Sequence, residues 1–263
     1  MGKLIDRTGE ISYTFFGEKM TIIKYNNAKD IIVKFEDTGY ELNTRMCQFL
    51  TGDVRDPLYP SVYGHGYIGV GEYKVSIKQK HTPAYNAWYD MLKRCYCKEY
   101  SKKHNTYEEA EVCEEWLNFQ NFAKWFYDNY YEIDNVNQRM ELDKDILIKG
   151  NKIYSPETCV FIPKRINTLF VKCNKVRGGL PIGVNDKRNK NRGYTARCSC
   201  GSGINDTGIK RVYLGKFATP EEAFYAYKEF KEKYIKQIAD EYKPYIPQKL
   251  YDAMYRYEVD ITD

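Results

Sequence analysis

The chain has 263 residues, 43% of them hydrophobic, with a formal net charge of +5 and 26 tyrosines. That length can bury a real core and has room for two or three small domains. No apolar stretch approaches the ~20 residues of a membrane helix, and the eight cysteines are scattered rather than spaced as a disulfide framework. The opening Met1-Gly2-Lys3-Leu4-Ile5-Asp6 has no signal-peptide apolar run, so a cytoplasmic protein with reduced thiols and no membrane partner is expected.

Residues 1–78 read as a small β-rich domain. Met20-Thr21-Ile22-Ile23-Lys24-Tyr25 and Ile31-Ile32-Val33-Lys34-Phe35 are β-branched runs on either side of the turn signal Asn26-Asn27, and a small β-barrel-like unit is expected. Gly64, Gly66, Gly69 and Gly71 punctuate its exit. No Gly-Lys-Ser/Thr follows them, so they are not a phosphate loop. Lys19, Lys24, Lys29 and Lys34 read as a solvated face, with phosphate contacts or a protein-binding surface as the alternative.

Residues 79–170 change character. Tyr85, Trp88, Met91, Leu92 and Cys95 mark one amphipathic helix, and Trp116, Phe119, Phe122, Ala123 and Phe126 another. Met140 to Ile146 reads as a strand, followed by the turn Lys149-Gly150-Asn151-Lys152. Ser155-Pro156-Glu157 reads as the start of a short helix or turn ending near Asn167. Residues 171–180, with Arg177-Gly178-Gly179, read as a linker.

Residues 181–240 read as basic strands followed by a helix. Thr219 is a natural N-cap, Pro220 suits the first helical position and Glu222 stands three residues after the cap. Ala223, Tyr227, Phe230, Tyr234 and Ile238 then recur at helical spacing. In the tail, residues 241–263, Pro244 and Pro247 break the helix, and Leu250, Met254 and Tyr257 predict a short docked one. The fold class is α+β and multi-domain: the β-rich unit, a helical middle, and a three-stranded sheet plus helix.

The charge is concentrated. From Lys172 to Lys216 there are eleven Lys/Arg and two acids. A small basic sheet backed by one helix suits phosphate backbones and groove floors. Lys187, Arg188, Arg192, Arg197, Lys210 and Arg211 are the cations predicted to touch nucleic acid, with Tyr194 and Tyr213 beside them, because Arg bridges guanine edges and Lys neutralises phosphate.

The last unit resembles the ethylene-response-factor (APETALA-type) DNA-binding domain. The resemblance rests on Ile182-Gly183-Val184, Gly193-Tyr194-Thr195-Ala196-Arg197, Arg211 to Phe217, Thr219-Pro220-Glu221-Glu222-Ala223 and Ala226-Tyr227. It implies a three-stranded sheet whose face enters the major groove, with the helix behind. The segment Gly201 to Gly208 lengthens the hairpin beyond that pattern.

The middle unit resembles phage HNH-endonuclease-like proteins. It does so through Trp88, Met91 or Leu92, Arg94-Cys95, Val112-Cys113-Glu114-Glu115-Trp116, Leu142-Asp143-Lys144-Asp145 and Tyr154-Ser155-Pro156-Glu157-Thr158-Cys159. This resemblance implies a ββα-metal site in which a His activates water and an Asn or His helps hold a divalent cation. Here the pattern is degenerate. His65, His81 and His104 all precede the strand, and Thr158 stands where the Asn is usual. Asp143, Asp145 and Glu157 remain as candidate catalytic oxygen ligands for Mg²⁺. The plainer reading is that Asp143 and Asp145 hold the hairpin. Cys95, Cys97, Cys113 and Cys159 are candidate ligands of a structural Zn²⁺, though only Cys95 and Cys97 are close; buried free thiols are the competing reading.

Together the resemblances imply a phage or mobile-element protein in the cytoplasm of a bacterial host, binding double-stranded DNA sequence-specifically, with nuclease activity weak or lost. The alternatives are an active Mg²⁺-dependent endonuclease and a phage inhibitor that binds a host protein complex of a defence system.

Overall fold

A computed structural model describes residues 5–103, 109–134, 139–171, 179–186, 193–201 and 209–263. The protein is α+β and divides into two units: Met1–Asp128 with Ile153–Ser155, and Asn129–Lys152 with Pro156–Asp263.

In the first unit, β1 (Ile11–Tyr13), β2 (Lys19–Asn27), β3 (Asp30–Phe35) and β4 (Glu41–Thr44) form an antiparallel meander in that order. Alternation places Met20, Ile22, Ile31, Val33 and Phe35 on one side. There they bury with Val54 and with Met46 and Phe49 of α1 (Met46–Thr51). β1 and β4 are its two edges, so this is an open sheet and not a closed barrel. Its β2–β3 turn is Ala28-Lys29, one step past the asparagine pair. Asn27 Oδ1 accepts the Lys29 N–H at 2.9 Å, so the asparagine holds the turn from the strand end.

A hairpin of β5 (Ser76–Ile77) and β6 (Lys80–His81) leads into α2 (Pro83–Tyr96), capped by Thr82, whose Oγ1 accepts the Tyr85 N–H at 3.3 Å. Then follow α3 (Lys98–Lys103), β7 (Glu111–Val112), α4 (Glu114–Leu117) and α5 (Phe119–Asn129). Trp88, Met91 and Leu92 are fully buried, as are Trp116, Phe119 and Phe122. The Trp88 indole N–H donates to the Trp116 carbonyl at 2.7 Å.

Gly66 and Gly71 are packed on these helices. A Cβ on Gly66 would fall 2.3 Å from Leu92 and 2.8 Å from Trp88. Gln120 of α5 accepts the Tyr73 N–H at 2.9 Å and donates to the carbonyls of Tyr73 and Ile68 at 3.0 and 3.3 Å. The expected boundary near residue 78 therefore falls beyond a loop already committed to the helical layer. Gly66→Ala is expected to cost about 1–3 kcal/mol of stability by overpacking, read as a lowered urea midpoint with unchanged slope.

The second unit opens with β8 (Met140–Asp143); β9 (Ile153–Tyr154) then returns to the first unit to pair in parallel with β7. β10 (Val160–Pro163) pairs antiparallel with β8, Val160 opposite Asp143 and Ile162 opposite Glu141, and α6 (Lys164–Leu169) follows directly. A strand thus occupies part of the segment expected to be a short helix or turn. All four residues of β10 are buried, so the run has no alternation to announce it.

β11 (Val184–Asp186), β12 (Tyr194–Gly201) and β13 (Ile209–Phe217) form an antiparallel sheet in chain order. α7 (Pro220–Tyr242) starts as the sequence predicts: Thr219 Oγ1 accepts the Glu222 N–H at 3.2 Å, and Glu222 accepts the Thr219 N–H at 3.3 Å. α8 (Gln248–Arg256) is the short helix of the tail.

α7 serves two cores. Its first half puts Ala223, Phe224 and Tyr227 beneath Val184, Ala196 and Cys198 of the sheet. Gly183 has φ +79°, and a Cβ there would fall 2.1 Å from the Tyr227 ring, so only glycine lets strand and helix come this close. The second half buries Tyr234, Ile235, Ile238, Ala239 and Tyr242 with Val160, Ile162, Ile166, Leu250 and Met254. The hairpin before residue 170 and the helix after residue 219 therefore share one core. No helix among the described residues is long and apolar enough to cross a membrane.

Candidate nucleic-acid interface

Strand alternation sorts the C-terminal sheet into two sides. Ala196 and Cys198 face α7 and are buried, while the alternating Arg197 and Ser199 are exposed. On β13, Arg211 and Tyr213 are exposed opposite Ser199 and Arg197. The Arg197 guanidinium lies 5.8 Å from the centre of the Tyr213 ring, a cation–π distance, and Tyr213 remains 55% exposed.

A register shift between Ala196 and Arg197, opposite Leu214 and Gly215, resets the alternation. Leu214 and Phe217 pack against the core, and Lys216 is exposed opposite Thr195. Without the bulge Lys216 would share the side of Leu214. Alternation counted along β13 therefore misses Lys216 as a member of the face. The signal in the sequence is Gly215, whose φ is +138°.

The other predicted contacts fall differently. Tyr194 shares the side of Ala196 and packs against the core, so it does not join Arg197 and Tyr213. Lys210 is placed in β13 opposite Cys200. Lys187, Arg188 and Arg192 lie outside the described residues. Behind the sheet, Lys231 of α7 is buried beside Cys198 and Cys200. Burial pushes its ammonium pKa down and the Cys198 thiol up to about 12.

The second candidate site is held together as a turn. Asp143 Oδ1 accepts the backbone N–H groups of Asp145 at 2.9 Å and Ile146 at 2.7 Å. The buried Lys144 ammonium donates to Asp145 at 3.2 Å and to the Asn151 carbonyl at 3.1 Å, and the Asn151 amide donates to the Lys144 carbonyl at 2.7 Å. Burial, reinforced by Asp145, pushes the Asp143 carboxyl up to about 6. Glu157 is exposed in the turn before β10. Asn167 of α6 donates to Glu141, a pair that motif reading passes over because neither residue belongs to the quoted pattern. Cys95, Cys97 and Cys113 belong to the first unit and Cys159 to the second; Cys97 donates to Glu99 at 3.2 Å. Among the described residues no three His, Cys, Asp or Glu side chains gather in a way that could hold a metal ion. His104 is outside those residues, and the His65 ring is stacked on Tyr96 at 3.8 Å.

Compared with protein-family models, with curated proteins and with solved structures, the chain matches none of them.

Proposed function

We propose that this protein binds double-stranded DNA sequence-specifically through the exposed side of β11–β13, as a phage or mobile-element protein. The observation that carries this is the grouping of Arg197, Arg211 and Lys216 with Tyr213 and Ser199 on one side of one small sheet. A twisted ribbon of this size can enter the major groove, where a guanidinium reads guanine O6 and N7. Lys216 meets phosphate, and the Tyr213 ring steadies Arg197 and offers an apolar contact to a thymine methyl. The order of three strands followed by a capped helix is the one the ethylene-response-factor resemblance implies. The β8–β10 hairpin followed by α6 is likewise the strand, strand, helix order the HNH resemblance implies, although β9, which pairs with β7, lies between the two strands. There, however, Asp143 is engaged by two backbone donors, which favours reading the nuclease function as weak or lost.

A selection of duplexes from a random pool by the full chain, run with and without Mg²⁺, tests this. The expected result is an enriched sequence that is bound and left uncut. Its affinity should fall roughly tenfold or more between 50 and 200 mM salt, since each phosphate contact releases counterions. No enrichment, or an affinity indifferent to salt, overturns the reading. Mg²⁺-dependent cutting that is lost in Asp143→Ala/Asp145→Ala establishes the endonuclease instead.

A further inference from the structure

The first unit contains a cavity of about 680 Å³ lined by the segment before β2, residues 55–63 and α2. Glu18, only 2% exposed, is among its lining residues. The carboxyl of Glu18 hydrogen-bonds that of Asp56. Asp56 also accepts the Thr38 hydroxyl and, at 2.7 Å, the Leu58 N–H. Two touching carboxyls cannot both ionise. Burial first, then Asp56, raises Glu18 to about 8, so the Glu18 carboxyl is largely protonated at neutral pH. Glu18 Oε1 is buried with no hydrogen-bond partner, and Glu18 is one of the residues that line the cavity.

The walls are aromatic. Tyr63 and Tyr89 join through their hydroxyls at 2.9 Å, and the Tyr85 ring lies 6.0 Å from Tyr89. Tyr59 stacks with the exposed Phe16 at 6.0 Å. Tyr63 has φ +53°, an uncommon conformation for a bulky residue, of the kind retained where a side chain must be aimed. Arg55, exposed, completes the lining.

We propose that this cavity binds an unpaired nucleobase of a nucleotide. The base lies against the tyrosine rings, one of its N–H groups donates to Glu18 Oε1, and Arg55 meets the phosphate. Every base offers a π-face to aromatic walls, and a buried lone acceptor calls for an N–H donor. An organic cation fits less well: Glu18 is largely neutral, Asp56 already accepts from Thr38 and Leu58, and Arg55 repels it. A free nucleotide and an unpaired base within a strand share this chemistry. The site does not depend on the basic sheet.

The test is titration of the full chain with the four deoxynucleoside monophosphates, their nucleosides, deoxyribose 5-phosphate and a short single-stranded oligonucleotide. All are repeated in the Arg197→Ala/Arg211→Ala background, so that a failure of the sheet reading is separable. At least one monophosphate or the oligonucleotide is expected to bind, and deoxyribose 5-phosphate is not expected to compete. Tyr89→Leu and Glu18→Leu should each weaken binding roughly tenfold or more. Glu18→Gln should retain it, because its amide keeps the carbonyl and donates to Asp56. Arg55→Ala should weaken the monophosphate and leave the nucleoside unchanged. Monophosphate binding marks a free nucleotide as the source, and binding of the oligonucleotide alone marks an unpaired base in a strand. If Glu18→Leu disrupts folding, Arg55→Ala and Glu18→Gln still decide. The proposal is overturned if neither monophosphate nor oligonucleotide binds, if tetramethylammonium binds in their place, or if binding ignores these substitutions while the aromatic circular dichroism is native.

Discussion

Arg197→Ala/Arg211→Ala is expected to bind a selected duplex between about 30-fold and 10⁴-fold more weakly, because each guanidinium that pairs with a base contributes about 1–3 kcal/mol of discrimination. Both side chains are exposed, so the free energy of unfolding should stay within about 0.5 kcal/mol of the parent. Binding to unrelated duplex should fall far less than binding to the preferred one. Arg197→Lys should fail to restore recognition, since an ammonium has neither the planar fork nor the same stacking on Tyr213. Lys216→Ala should act in another manner, weakening all duplexes alike and lowering the salt slope by about one. Fluorescence anisotropy on matched and scrambled duplexes checks all three. Unchanged affinity of the double variant for its preferred site would sink the assignment of this face.

Trp88→Ala is the single truncation expected to cost most in the first unit, about 3–5 kcal/mol. Trp88 is fully buried. It packs on Phe119 at 5.5 Å, and its indole is committed to the Trp116 carbonyl. Removing it opens a cavity and leaves that buried carbonyl short of a donor. Trp88→Phe keeps most of the ring but not the N–H, so it should fall between parent and alanine. Denaturant titration of the full chain separates the two contributions. A loss below about 1 kcal/mol for Trp88→Ala would mean the aromatic cluster is not tightly packed.

What the sequence reveals depends on how local the determining contacts are. The start of α7 is legible because Thr219, Pro220 and Glu222 act on each other within four residues. The basic face is largely legible, since alternation alone sets Arg197, Arg211 and Tyr213 apart from Ala196 and Cys198. Lys216 is obscured by a bulge whose register is set by pairing with β12. β10 is hidden because Val160 to Pro163 are buried throughout, and a uniformly apolar run has no period. The glycines at 66 and 71 declare that something must come close, without saying that the neighbours are Trp88 and Gln120. Glu18 and Asp56 meet across 38 positions, and neither stands in a motif. The hairpin role of Asp143 is local and legible, since Asp145 and Ile146 follow it directly.

The long helix α7 makes the C-terminal sheet hard to transplant. A fragment cut at residue 180 would keep Val184, Ala196 and Tyr227 matched beneath the sheet but strip Ile235 and Ile238 of the partners supplied by Val160, Ile162 and Ile166. Such a fragment would carry a greasy stripe into water and invite aggregation. Grafting experiments should therefore start before Asn129, so that the whole second unit travels together.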